Sequence, residues 1–190
     1  MASTISVPLD IERLLHAAFA QLEADGLDAL SMRKLAARLN VQAPAIYWHV
    51  KDKAELLGLM ARRIHGRAYA DVTHAEDWRD WLRQFGRALR RSFLAHRDGA
   101  LLCAVSRPPA EADPAVHAHR IAAPLLALGL PQQHALARQA AVISFVLGWS
   151  AFEANGPMHS FLDRILDFEG SFEPGLDALV AGFPEVASEA

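Results

Sequence analysis

The residues with the most chemistry for their number lie between Gln42 and Lys53, in the run QAPAIYWHVKDK. The amide of Gln42 can hydrogen-bond a base edge, and the methyl of Ala45 can meet a thymine methyl. Ala43, Pro44 and Ala45 are small enough to let a helix N-terminus come close to a groove. Tyr47, Trp48, His49, Lys51 and Lys53 carry donors suited to phosphate oxygens, contacts that fix register rather than sequence. From Ser31 to Lys53, five basic residues (Arg33, Lys34, Arg38, Lys51, Lys53) stand against one acid, Asp52, a local balance of +4 in a chain of net charge −3. That asymmetry is the electrostatic footprint of a nucleic-acid face. The candidate DNA contacts are Met32, Arg33, Gln42, Ala43, Pro44, Ala45, Tyr47, Trp48, His49 and Lys53.

The other reactive side chains form no comparable set. Cys103 is the single cysteine, which excludes an internal disulfide framework and a cysteine-rich metal site. His117 and His119 are two apart and face different sides of a helix, so a metal pair is not expected. His96-Arg97-Asp98 has the letters of a kinase catalytic loop, but no glycine-rich loop and no DFG accompany it. No nucleophile–base pair or phosphate loop stands out. No catalytic residue, metal or cofactor is therefore expected. The rival reading is a small α-helical enzyme, or a ligand-binding protein whose helix-turn-helix is purely structural. Turnover of candidate ligands would favour the first. Steep salt dependence of DNA binding would argue against the second.

The elements that must position these residues are helical throughout. Pro8 and Asp10 open a first helix whose apolar stripe (Ile11, Leu14, Leu15, Ala18, Phe19, Leu22) runs to Gly26. Ser31 caps a second helix carrying Met32, Leu35 and Leu39 on one face, and Asn40 is its expected left-handed terminator. Pro44 sits at the start of a third helix, read through Val50. Asp52 and Glu55 have capping-box spacing for a fourth, running to about Tyr69. Two helices joined by so short a turn are a helix-turn-helix, the second helix being the one that enters the major groove.

This segment resembles the DNA-binding domain of the TetR family of bacterial repressors, and within it the tetracycline-responsive class. RKLA, a turn with valine, YWHVKDK and Leu56-Leu57 recur in order from Leu9 to near Met60. HRDGA (His96–Ala100) and the Ser106-Arg107-Pro108-Pro109 loop continue the likeness into the body. The resemblance implies a homodimer on a palindromic double-stranded DNA operator, and a small-molecule effector held in the body. It makes the fourth helix the lever between effector and head.

It also implies a ligand site over Tyr69, Phe85, Leu89, Cys103, Arg107, Trp149 and Phe152. There this sequence departs from the tetracycline-binding pattern. Cys103 stands where a histidine holds the drug's magnesium, and Phe152 where a glutamate supports it through water, with Glu153 one residue away. Tyr69 and Phe85 replace a histidine and an asparagine that grip the drug's polar edge. A buried carbonyl-rich ligand needs partners for its polar atoms. The expected effector is therefore small, apolar or aromatic, and not tetracycline–magnesium.

In the body, Trp78, Trp81, Leu82, Phe85, Leu89 and Phe93 follow a helical period that reads as core. Arg79, Arg83, Arg87, Arg90 and Arg91 lie off the stripe and read as a solvated face paired with acids, not a second DNA face. Gly58 and Gly66 in the fourth helix read first as sites of close packing, with bending of the helix as the alternative. A helix opens at Asp113-Pro114 and ends at Gly129. The longest late helix starts at Pro131 or Gln132 and is apolar nearly all round after Ala140, so a subunit interface is expected on roughly 132–155 and 174–184. Gly156-Pro157 is read as a break, Met158 to Phe168 as a short helix and Leu176 to Phe183 as the last.

The bulk properties agree. At 190 residues and 52% hydrophobic content, the chain has room for a sizeable core. Residues 1–65 carry a balance of +1 and residues 66–190 a balance of −4. Apolar runs look too short and interrupted to span a bilayer, and Met1 to Pro8 lack a signal pattern. The expectation is an all-α cytoplasmic protein without a membrane segment. A helix-turn-helix head would occupy residues 1–53 and a helical ligand-binding and dimerisation body residues 54–190.

Overall fold

A computed structural model describes residues 9–108 and 113–185. The expected loose tail from Met1 to Val7, the expected helix-opening Pro8, and Pro109 lie outside the described residues. Among those described, every regular element is a helix: α1 (Ile11–Asp25), α2 (Met32–Leu39), α3 (Ala43–Tyr47), α4 (Lys53–Ala70), α5 (Trp78–Leu94), α6 (Gly99–Val105), α7 (Pro114–Leu126), α8 (Gln132–Ala154), α9 (Gly156–Leu162) and α10 (Phe172–Ala181).

The head is built from local signals. The Asp10 carboxylate accepts from the Arg13 N–H at 2.8 Å and starts α1. Gly26, at φ +81°, ends it. Ser31 Oγ accepts from the Lys34 N–H at 3.3 Å, and Asn40 closes α2 in the left-handed region at φ 55°. Asp52 caps α4 through the Glu55 N–H at 2.8 Å, while the Glu55 carboxylate accepts from the Lys51 N–H at 2.6 Å. Each cap satisfies a donor that the first turn of a helix leaves orphaned. Leu14, Leu22, Leu30, Leu35, Ile46, Val50 and Leu56 close a small core behind the helix-turn-helix. The third helix is shorter than the sequence pattern indicates. It stops at Tyr47, and the next residues form a turn whose His49 and Val50 N–H groups both bond to Ile46 O. The boundary drawn at 53/54 falls at the first residue of α4, a continuous helix that packs against α1, α5 and α6.

In the body, α5 lies between α4 and α8, with α6, α7 and α10 packed around them. The tryptophan–phenylalanine stripe of α5 is core, as expected: Trp81, Leu82, Phe85, Leu89 and Phe93 are buried. Its arginines pair outward with acids from elsewhere, Arg83 with Asp177 at 3.0 Å, Arg87 with Glu173 at 2.7 Å and Arg91 with Asp71 at 3.3 Å. Arg90 makes a two-pronged pair with Glu153, whose side chain is nearly buried. Gly58 packs closely, but Gly66 does not: a Cβ there would meet nothing within 4 Å.

The expectation that no apolar run could span a bilayer does not hold for α8. By length and composition this 23-residue helix is apolar enough to cross a membrane. Its inner face is nevertheless already occupied. Arg138 and Gln139 are buried there, donating to Pro184 O at 2.6 Å and to Ile121 O at 2.9 Å. Polar groups fixed to the rest of the chain make α8 a core helix of the body.

Candidate nucleic-acid interface and effector site

On α3, opposite sides of one short helix meet opposite environments. Ile46 and, just beyond the helix, Val50 are buried against the head core. Tyr47 is 50% exposed and Trp48 88% exposed. Gln42 and Pro44 are also exposed, while Ala43, Ala45 and His49 are half-buried. Gln42 occupies the N-cap of α3 without using its side chain as a cap, so the amide is uncommitted by the helix. Pro44 in the first turn costs no hydrogen bond. Arg33 is exposed at the start of α2, next to half-buried Met32, and Lys53 opens α4. Thus the first turns of three helices and the exposed side of α3 carry the residues expected to touch DNA.

The candidate effector positions fall into separate groups. Tyr69 and Phe85 form one aromatic cluster with Trp81: ring centroids lie 4.7 Å apart for Tyr69–Phe85 and 4.8 Å for Trp81–Phe85. The Tyr69 hydroxyl donates to Gln139 Oε1 at 2.8 Å, and burial pushes its pKa up to about 12. Leu89 is fully buried one turn further along α5. Cys103 lies on α6, where burial pushes its thiol up to about 12 and keeps it protonated at neutral pH. Arg107 is exposed in the loop after α6. Trp149 stacks instead on Phe168 at 4.6 Å and contacts Phe145 and Phe172, a second aromatic cluster around α8 and α10. Phe152 is 47% exposed on α8. The structure therefore brings Tyr69 and Phe85 into contact, and gives Trp149 and Phe152 different surroundings.

Comparison with known proteins decides the family. The bacterial regulatory proteins of the tetR family match residues 14–60, and the tetracyclin repressor-like C-terminal domain matches residues 70–160. A solved TetR from Acinetobacter baumannii AYE has a TM-score of 0.73 and 31% identity, covering 92% of this chain and 96% of that one. The chain belongs to the TetR family. ActR of Streptomyces coelicolor, a TetR-family protein solved in complex with (S)-DNPA, is 29% identical with a TM-score of 0.73, covering 93% and 97% of the two chains. An HTH-type transcriptional regulator from Saccharopolyspora erythraea is 36% identical over 137 residues, 72% of this chain and 58% of that protein. The class D tetracycline repressor of Escherichia coli is 38% identical over 102 residues, 53% of this chain and 47% of that one. These matches span roughly half the length of the curated relatives.

Two features of this TetR-family chain escape pattern reading. The first is what the turn from His96 to Gly99 touches, a run whose sequence offers the HRDGA likeness but no contact. Asp98, at φ 55°, accepts from the Leu27 N–H at 2.8 Å. The Arg97 guanidinium donates to the Ala24 carbonyl at 3.1 Å, and the Arg97 N–H to the Glu23 carboxylate at 3.1 Å. The His96 ring meets the Phe19 ring at a tilt, with centroids 4.5 Å apart. This turn clasps the C-terminal end of α1 to the body. The second is Gly58, where a Cβ would lie 2.6 Å from the Arg107 carbonyl oxygen. The loop after α6 rests directly on α4. Only the charge-rich HRD triplet in a turn hinted at the first contact, and a glycine within a helix at the second.

Proposed function

We propose that this protein is a homodimeric, ligand-responsive transcriptional repressor of the cytoplasm, released from a palindromic operator by a small apolar or aromatic effector other than tetracycline–magnesium. One observation carries the DNA-binding part. Trp48 is 88% exposed just past the end of α3, beside half-exposed Tyr47 on that helix, whose other side is buried through Ile46, within a segment of local charge +4. Nothing in the fold requires those rings to face water, and a duplex would cover them. Gln42, Ala43, Pro44 and Ala45 then meet base edges, while Arg33, Tyr47, Trp48, His49 and Lys53 hold phosphates and Met32 packs at the contact. Two heads would lie about 34–36 Å apart, one turn of duplex.

The effector reading rests on the chemistry of the pocket positions. A thiol held protonated, as at Cys103, is a poor metal ligand. Tyr69 and Phe85 present rings, and the Tyr69 hydroxyl is already engaged by Gln139. Among structural relatives of similar identity, one is a substituted form of the Acinetobacter TetR in complex with minocycline and another is ActR with (S)-DNPA. Effector chemistry thus varies at this level of likeness. Arg107 supplies the route outward, through its carbonyl against Gly58 on α4. Any effector that shifts the loop shifts the lever, and the coupling must be reciprocal with DNA affinity. The apolar outer side of α8 and Ala178, exposed on α10, would meet a second copy across the dimer axis.

The test is operator selection from random duplexes with the purified protein. An inverted repeat is the expected result, and loss of preference at one half-site position in Gln42→Ala would identify that residue as a reader. No enrichment at any salt concentration would overturn the proposal.

A further inference from the structure

A cleft of about 580 Å³ opens between α1, α4 and α5, on the side of the chain where the head joins the body. Its size falls in the range of small-molecule sites. It shares no residue with the effector positions on Tyr69, Phe85, Leu89, Cys103 and Arg107. Its apolar wall is made by Leu15, Phe19 and Ala20 of α1 and Ile64 of α4. One polar group lining it has no account within the fold. The Ser92 hydroxyl on α5 is in a side chain only 3% exposed and has no hydrogen-bond partner. A buried hydroxyl without a partner is costly, and one at a cleft wall can be satisfied by whatever fills the cleft.

The charges around the rim fix the sign of that ligand. Glu12 is taken by Arg63, whose guanidinium reaches both carboxylate oxygens at 2.5 and 2.6 Å. Glu23 is taken by the Arg97 N–H and by His96 Nδ1 at 3.1 Å. That leaves Arg67, which lines the cleft and makes no ion pair among the described residues. The uncommitted groups are thus the Arg67 guanidinium, the Ser92 hydroxyl and the His16 imidazole beside an apolar wall. We propose that this cleft binds a small organic anion with an apolar body, of the aromatic-carboxylate class. The carboxylate meets Arg67 and Ser92, and the ring lies along Phe19, Leu15 and Ile64. Such a ligand touches α1, α4 and α5 together, so its occupancy also bears on head orientation, a consequence that rests on the DNA-binding reading.

Calorimetric titration of the full chain with 1-naphthoate, and with the neutral 1-naphthamide, tests the site without DNA. The expected result is saturable binding of one naphthoate per chain, weakened about tenfold by Arg67→Gln, the loss of one charge-assisted hydrogen bond. Binding should also be abolished by Ala20→Trp, which fills the cleft, and naphthamide should bind at least about tenfold more weakly. Thermal melts confirm that each variant is folded, and Arg67→Gln alone suffices if Ala20→Trp is not. Absence of saturable naphthoate binding in the millimolar range overturns the proposal, and so does binding that Arg67→Gln leaves unchanged. Binding removed by Leu89→Ala but indifferent to Arg67→Gln would assign the ligand to the body interior instead. Operator affinity in the absence of naphthoate reports separately on the DNA-binding reading, so either can fail alone.

Discussion

Tyr47 and Tyr69, the two tyrosines of the chain, stand at opposite ends of its logic. Tyr47 is half exposed on α3 beside Trp48, which is almost wholly exposed. Tyr69 is enclosed by Phe85 and Trp81 and hydrogen-bonded to Gln139, far along the chain on α8. The head holds its aromatics out, on a frame fixed by caps and a few buried aliphatics. The body turns Trp81, Phe85, Phe93 and Phe172 in and builds its frame on those rings, while Phe152 and Phe161 stay at its surface. The difference shows that a ring's contribution here depends on what covers it. Rings in the body stabilise the fold, and rings on the head wait for a partner.

The largest effect should come from reversing those roles by truncation. Phe85→Ala removes a fully buried ring at the centre of the α5 cluster and should cost about 3–5 kcal/mol in urea unfolding. Trp48→Ala should change stability by no more than about 0.5 kcal/mol, since its ring meets water. It should nevertheless weaken operator binding in gel shifts. Equal stability losses in the two variants would erase the distinction between head and body.

A smaller effect sharpens it. Tyr69→Phe keeps the ring but leaves Gln139 Oε1 buried without its donor, and should cost about 1–3 kcal/mol. Tyr47→Phe, the same chemical change on the head, should leave the unfolding midpoint where it is. If Tyr69→Phe is also silent, the hydrogen bond to α8 adds nothing and the body cluster is held by packing alone.

The same contrast explains what could be read from the sequence. Head signals are local: Asp10, Ser31, Asn40 and Asp52 each act within three or four residues, and each caps or ends the helix expected of it. Body signals were legible where they were periodic, as in the buried stripe of α5. They are less exact at the boundaries of the late helices, where proline can stand inside a first turn. α10 starts at Phe172, ahead of the Leu176 that the apolar pattern indicates, with Pro174 in its first turn; Gly156-Pro157 does mark the end of α8, at Ala154, but Pro157 also sits in the first turn of α9. In a first turn proline forfeits no hydrogen bond, so it opens a helix as readily as it ends one. The placement of the site residues was beyond pattern altogether. Nothing near Trp149 in sequence announces that it stacks on Phe168, or that the Arg107 carbonyl rests on Gly58. Asp52→Ala tests the local rule directly. It removes the cap on α4 and should cost about 1 kcal/mol, read as a lower urea midpoint with unchanged slope. No loss would mean that tertiary packing, not the cap, sets that helix start.

The smallest effect lies where α4 carries the head's frame into the body's core. His65 on α4 meets the Phe93 ring edge-on at 5.7 Å, and burial lowers its pKa from the ordinary 6.5. Above that value the imidazole is neutral in both folded and unfolded chains and contributes no pH dependence. As pH falls through 6.5, the unfolded chain takes up a proton that the folded chain still refuses. The unfolded state is then the one that binds more protons, so stability must drop with falling pH. The loss continues until the pH reaches the lowered folded value, where both states are protonated. Urea midpoints measured from about pH 7.5 down to about pH 5.5 should therefore fall in the native protein and fall less in His65→Gln, which cannot titrate. Parallel curves for the two would move the acid sensitivity to other groups. They would also leave His65 a spectator at the joint between a frame set by caps and a core set by rings.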